Sequence, residues 1–172
     1  MTERGLWGAR LAYPLLAAVL LAAPLLPLNT VPRGFATPDI LLAATLAWAA
    51  RRPAALPVLL VAAVFLLADF LFQRPPGLHA ALVVGATEWL RRRAHRLARG
   101  SFLDEWLAVG AAAAAVGLGE RLVLFVAATP QAPWGLTVIQ LALTAASYPV
   151  VALLVGALGV ARPGAAGGED AR

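Results

Sequence analysis

With 172 residues, 61% hydrophobic and 13% charged, the chain holds about half the charge of an ordinary globular domain and more apolar side chains than a soluble fold of this size can hide. It has no cysteine and only two histidines, which excludes disulfides, thiol chemistry and Cys/His zinc sites. The formal charge of +5 comes from fourteen arginines and no lysine, placed in short segments between apolar runs, where they orient a membrane protein instead of forming a nucleic-acid patch.

Crossing about 30 Å of hydrocarbon takes about 20 helical residues, and six apolar runs compete for that role: 11–28, 34–50, 54–72, 77–90, 102–128 and 136–160. The first follows Arg4 and Arg10 like a secretory signal. Because several apolar runs come after it, it reads as an uncleaved first span. Pro14, Pro24 and Pro27 in that run and Pro149 in the last are tolerable in a bundle, where neighbouring helices satisfy the freed carbonyls. The second and fourth runs, containing Asp39 and Glu88, are short and read as buried, tilted or re-entrant.

Six spans put eleven arginines on the cytoplasmic side with both termini and leave two, Arg33 and Arg74, outside; Arg121 lies within a span. Trp7, Trp48, Trp89 and Trp106 then fall at cytoplasmic helix ends, and Trp134 opens the last helix outside. The expectation is an all-α integral membrane bundle of six transmembrane helices, one domain over 1–161, with a disordered cytoplasmic tail over 162–172.

Ionisable groups inside apolar runs each cost about 2.5–3.5 kcal/mol at the bilayer centre and need partners or water. Glu88 precedes Arg91 and Arg92 by three and four residues, the spacing of a helical ion pair. Asp104 and Glu105 follow Ser101 at a helix start and read as capping residues. Asp39, Asp69, Glu120 and Arg121 lack local partners. The topology gathers Asp39, Asp69 and Arg121 in the outer half of the membrane, so a polar cluster is expected there, with Arg121 bridging Asp69 or Asp39. Snorkelling of Arg121 to the surface is the alternative. His79, after the turn 75–78, reads as structural, and His95 lies in the arginine-rich segment. Small residues, among them Gly117, Gly119 and Gly156, mark close helix packing in the last two runs. No nucleophile elbow, phosphate loop or paired-histidine metal motif is present in the sequence, so no catalytic, cofactor-binding or metal-binding residue is assigned.

The order Pro38-Asp39-Ile40-Leu41-Leu42, Trp48, Arg52-Pro53, Pro57, Phe65-Leu66-Leu67-Ala68-Asp69 and Arg74-Pro75-Pro76-Gly77-Leu78-His79 resembles the MreD family of the bacterial cell-elongation complex, in its alphaproteobacterial form. Phe65 departs from the family, which often carries glycine there. The resemblance implies a fold similar to the substrate-binding subunits of energy-coupling-factor transporters. It also implies a non-catalytic inner-membrane scaffold that binds MreC and acts with MreB filaments, RodA and its class B transpeptidase partner in rod shape and lateral peptidoglycan synthesis. Asp69, Gly77 and His79 are the matched positions expected to matter, through geometry. The alternative function is a small-molecule-binding subunit of a membrane transporter, which would place its ligand in the outer polar cluster.

Overall fold

A computed structural model describes residues 3–25 and 36–158, with side chains for 11–24 and 36–158. The described residues form six α-helices and no strand: α1 Glu3–Ala22, α2 Ile40–Arg51, α3 Val58–Leu71, α4 Leu78–Arg99, α5 Phe102–Val126 and α6 Trp134–Ala157, with short 3₁₀ turns at Ala23–Leu25 and Pro53–Ala55. Arg33, Pro27, the C-terminal arginines and the whole expected tail fall outside the described residues, as do the side chains of Arg4, Trp7 and Arg10.

Helix α2 is the centre of the bundle. It is apolar on every side, as a helix buried all round must be, and every residue from Leu42 to Arg51 is buried. It packs chiefly on α4 and α6, then on α5. Asp39 lies outside the helix as its N-cap, accepting from the Leu42 N–H at 2.9 Å, so the expected run of 34–50 is a helix of only 12 residues. Trp48, expected at an interface, is fully buried with its ring edge against Tyr13 at 5.7 Å.

The largest departure in helix length is α4. Its 22 residues extend through the arginine cluster expected to be a loop. Leu90, Ala94 and Leu97 continue the buried stripe of Ala80, Val83 and Thr87 at three- and four-residue spacing, so the arginines occupy the other face of one amphipathic helix. Glu88 pairs with Arg91 at 3.2 Å, the local contact the spacing indicates. Gly100 ends the helix, and Ser101 with Asp104 starts α5 at once through a reciprocal capping box.

Among the described residues, α5 and α6, with 25 and 24 residues, are the two helices long and apolar enough to cross a membrane. Their close approach to neighbours uses small residues: a Cβ at Gly117 would meet Leu141 at 3.0 Å, and one at Gly119 would meet Leu82 at 3.0 Å. Pro149 lies inside α6 and has no N–H for the carbonyl four residues back. That carbonyl, on Ala145, accepts the Trp106 indole N–H at 2.7 Å instead, so Trp106 ties α5 to α6. Large apolar side chains remain exposed on α1, α3, α5 and α6, among them Leu59 at 83%, Phe125 at 76% and Leu153 at 75%.

Candidate functional site

Polar groups collect at the two ends of the bundle. At the arginine-rich end, Arg51 Nε donates to Glu105 Oε1 at 2.6 Å and Nη1 donates to the Ala152 carbonyl at 2.6 Å, while the Tyr148 hydroxyl donates to the same Glu105 oxygen. Glu105 is 1% exposed and Arg51 9%. Glu105 is therefore not a second capping acid beside Asp104, and Arg51 is not a loop charge. The pair ties α2 to α5 and α6. Sequence reasoning missed it because its partners stand 54 residues apart.

At the opposite end the candidate residues separate into three arrangements. Asp69, fully buried near the end of α3, accepts from the backbone N–H of Gly77 at 2.9 Å and of Ala80 at 3.3 Å through Oδ2. It thereby supplies the carboxylate that orphan donors at a helix start require, reaching back from the preceding helix. The chain between them turns twice. Gln73 takes a left-handed conformation and Arg74 N–H bonds to the Asp69 carbonyl at 2.9 Å, which closes α3 in a Schellman motif. Gly77 then takes φ +86° as the N-cap of α4. A Cβ at Gly77 would meet nothing within 4 Å, so Gly77→Ala isolates the backbone cost. It is expected to lower stability by about 1–2 kcal/mol, with Gly77→Asn closer to wild type, read from unfolding midpoints in detergent.

The second arrangement centres on His79. Its Nδ1 lies 3.2 Å from Glu120 Oε2, and its Nε2 lies 3.9 Å from Asp39 Oδ2. The ring is 4% exposed and rests against Phe65 at 5.6 Å. Phe65, which stands where the resembled family often has glycine, thus forms the floor under the histidine. The Asp39 N–H donates to Thr144 Oγ1 at 2.9 Å, so α2, α4, α5 and α6 all converge here.

Arg121 belongs to a third arrangement and corrects the expected bridge. Among the described residues it makes no ion pair with Asp39 or Asp69. Its guanidinium donates to the Ala132 carbonyl at 3.0 Å from both terminal nitrogens and to the Thr137 hydroxyl, and it lies over the Trp134 ring at 4.1 Å. The physical reason is reach. The loop between α5 and α6 brings a carbonyl and an aromatic face to Arg121, with Gln131 bonding back to the Arg121 carbonyl at 3.0 Å. Histidine, not arginine, takes the bridging place between carboxylates.

Two cavities, of about 240 Å³ and 490 Å³, meet at this end and share Asp39, Arg74, His79 and Gln140 in their walls. The smaller is lined further by Glu120, Arg121 and Gln131; the larger has an apolar side formed by Leu41, Phe65 and Phe72. Asp69 lines neither. Among the described residues no group of three or more His, Asp or Glu side chains stands close enough to hold a metal ion. No protein-family model matches the chain, no curated protein matches its sequence, and no solved structure matches its fold.

Proposed function

We propose that the chain is a non-catalytic scaffold of the MreD type, spanning the bacterial inner membrane six times with both termini in the cytoplasm. In this reading it binds the bitopic protein MreC and, through that complex, supports MreB filaments and RodA with its class B transpeptidase partner in lateral wall synthesis. The observation that carries the reading is the corner at the end of the resembling segment. Asp69, Gly77 and His79, the positions matched in sequence, form the α3–α4 corner, where a buried carboxylate holds the turn by two backbone bonds. Such a corner fixes the geometry between α3 and α4.

The membrane part rests on three physical supports. The exposed apolar flank of α1, α3, α5 and α6 is far more than a soluble monomer leaves open. The arginines are asymmetric about the apolar runs. Third, the short helices do not have to face lipid: α2 is about 18 Å long at 1.5 Å per residue, and it is enclosed by other helices. A groove of about 820 Å³ along Leu118, Leu122, Phe125 and Trp134 offers an apolar surface to the single transmembrane helix of a bitopic partner.

A small-molecule-binding transporter subunit is the second reading, favoured by the two cavities that meet at His79. Co-purification from native membranes separates the two. Recovery of an MreC-type bitopic protein is expected; recovery with a nucleotide-hydrolysing transport module and without such a protein contradicts the scaffold reading.

A further inference from the structure

Helix α4 carries one exposed stripe along its length. Ala81, Gly85, Arg92, Arg96 and Arg99 follow one another at three-, four- and seven-residue steps and are all exposed, opposite the buried stripe that packs α4 into the bundle. The first half of the stripe is small and apolar, and the last half is cationic. The arginines therefore stand on the outward side of a continuous helix. Their depth follows from the neighbouring helix. A Cβ at Gly119 would meet Leu82 at 3.0 Å, which sets that part of α5 beside Leu82 of α4. The two helices run antiparallel through a short connection, so twelve residues along each from that contact put Leu107 level with Ala94, and sixteen put Leu103 level with Ala98. Leu107 and Leu103 are 61% and 54% exposed. Apolar side chains thus open outward at the level of the guanidinium groups, as they do where hydrocarbon meets headgroups. Trp89, with Arg93 over its ring at 3.9 Å, adds an amphipathic ring at the same rim.

The acids along this stretch are already engaged: Glu88 by Arg91 at 3.2 Å, Asp104 by the Ser101 cap, and Glu105 by Arg51 at 2.6 Å. Among the described residues Arg92, Arg96 and Arg99 make no ion pair, and as like charges one turn apart on one face they repel each other. An anion shared between them removes that repulsion. We propose that this face of α4 binds acidic phospholipid, with headgroup phosphates held by Arg92, Arg96 and Arg99 and an acyl chain laid along Ala81 and Gly85. A phosphate accepts the forked N–H pair of a guanidinium. Arg92 and Arg99 stand about 10 Å apart along the helix axis, room for more than one phosphate. An acidic protein segment would meet the same charges, but exposed leucines at their level ask for acyl chains beside them. The inference rests on the membrane reading of the chain and not on which protein it binds.

The full chain in a neutral detergent is mixed with equal amounts of phosphatidylglycerol and phosphatidylcholine carrying the same acyl chains, and the bound lipids are counted by native mass spectrometry. The expected result is a preference of at least about fivefold for phosphatidylglycerol, the worth of one arginine contact at a membrane surface. The triple change Arg92→Gln, Arg96→Gln and Arg99→Gln is expected to bring the ratio close to one, whereas lysine at the same three positions keeps most of the preference. Arg96→Gln alone is the milder variant and is expected to lower the ratio about twofold or more. Equal binding of the two lipids by wild type, or a preference undiminished in a folded triple-glutamine or Arg96→Gln chain, overturns the proposal. Loss of an acidic protein from the native complex of the triple-glutamine chain, with the lipid preference unchanged, assigns the face to a protein and overturns it too. A chain that stays in solution without detergent contradicts the membrane reading and this inference together; one that needs detergent and shows no preference contradicts the inference alone.

Discussion

Replacing Glu105 by alanine is expected to lower the unfolding free energy by about 3–5 kcal/mol, the cost of removing one partner of a buried ion pair. The loss comes chiefly from what remains. Arg51 keeps its charge at 9% exposure and loses the carboxylate that Nε donates to, and the Tyr148 hydroxyl loses its bond to Glu105. Glu105→Gln, which keeps an oxygen for both donors, is expected to fall between alanine and wild type. The double change Arg51→Met with Glu105→Leu is expected to recover part of the loss, because an apolar pair of similar volume removes both charges of this pair together. Equilibrium unfolding in mixed detergent micelles measures these chains together with the single changes Arg51→Met and Glu105→Leu. Additive losses in the double variant would show that Arg51 and Glu105 do not depend on each other.

Asp69→Ala is expected to be the second most damaging change. It strips acceptors from the Gly77 and Ala80 N–H groups at the buried start of α4, each worth about 1–3 kcal/mol when left without a partner. Asp69→Asn retains an oxygen that can accept from Gly77 and is expected to lose less than half as much. The same order carries over to partner recovery, because the corner is what the scaffold reading asks Asp69 to hold. Native-membrane co-purification should therefore fall from wild type through Asn to Ala. A folded Asp69→Ala chain with undiminished partner recovery would separate the corner from the interface.

What was legible in the sequence divides by distance along the chain. The Ser101–Asp104 capping box and the Glu88–Arg91 pair span three residues, and local spacing suffices to see both. The six-helix count follows from the apolar runs, since each run carries its own signal. Pairings across helices depend on rotation and depth, which one run does not encode. Arg51–Glu105 and His79–Glu120, 54 and 41 residues apart, were invisible for that reason. A useful clue existed: Glu105 is one of two consecutive acids where a capping box needs only one. The Arg121 bridge to a carboxylate fails because a loop carbonyl, a hydroxyl and an aromatic face serve a guanidinium as well. The arginine cluster reads as a loop by its charge, although Leu90, Ala94 and Leu97 keep the helical period through it.

The six-span reading makes the shape of the whole account, and the absence of cysteine in the chain makes it directly measurable. Single cysteines placed at Arg93, Gln73, Ala128, Thr2 and Ala171 are to be labelled in intact cells and in opened membranes with a membrane-impermeant maleimide. Six spans with both termini in the cytoplasm predict labelling of the Gln73 and Ala128 positions in intact cells, and of the Thr2, Arg93 and Ala171 positions only after opening. Labelling of Arg93 and Gln73 from the same side, or of Thr2 and Ala171 from opposite sides, would contradict it.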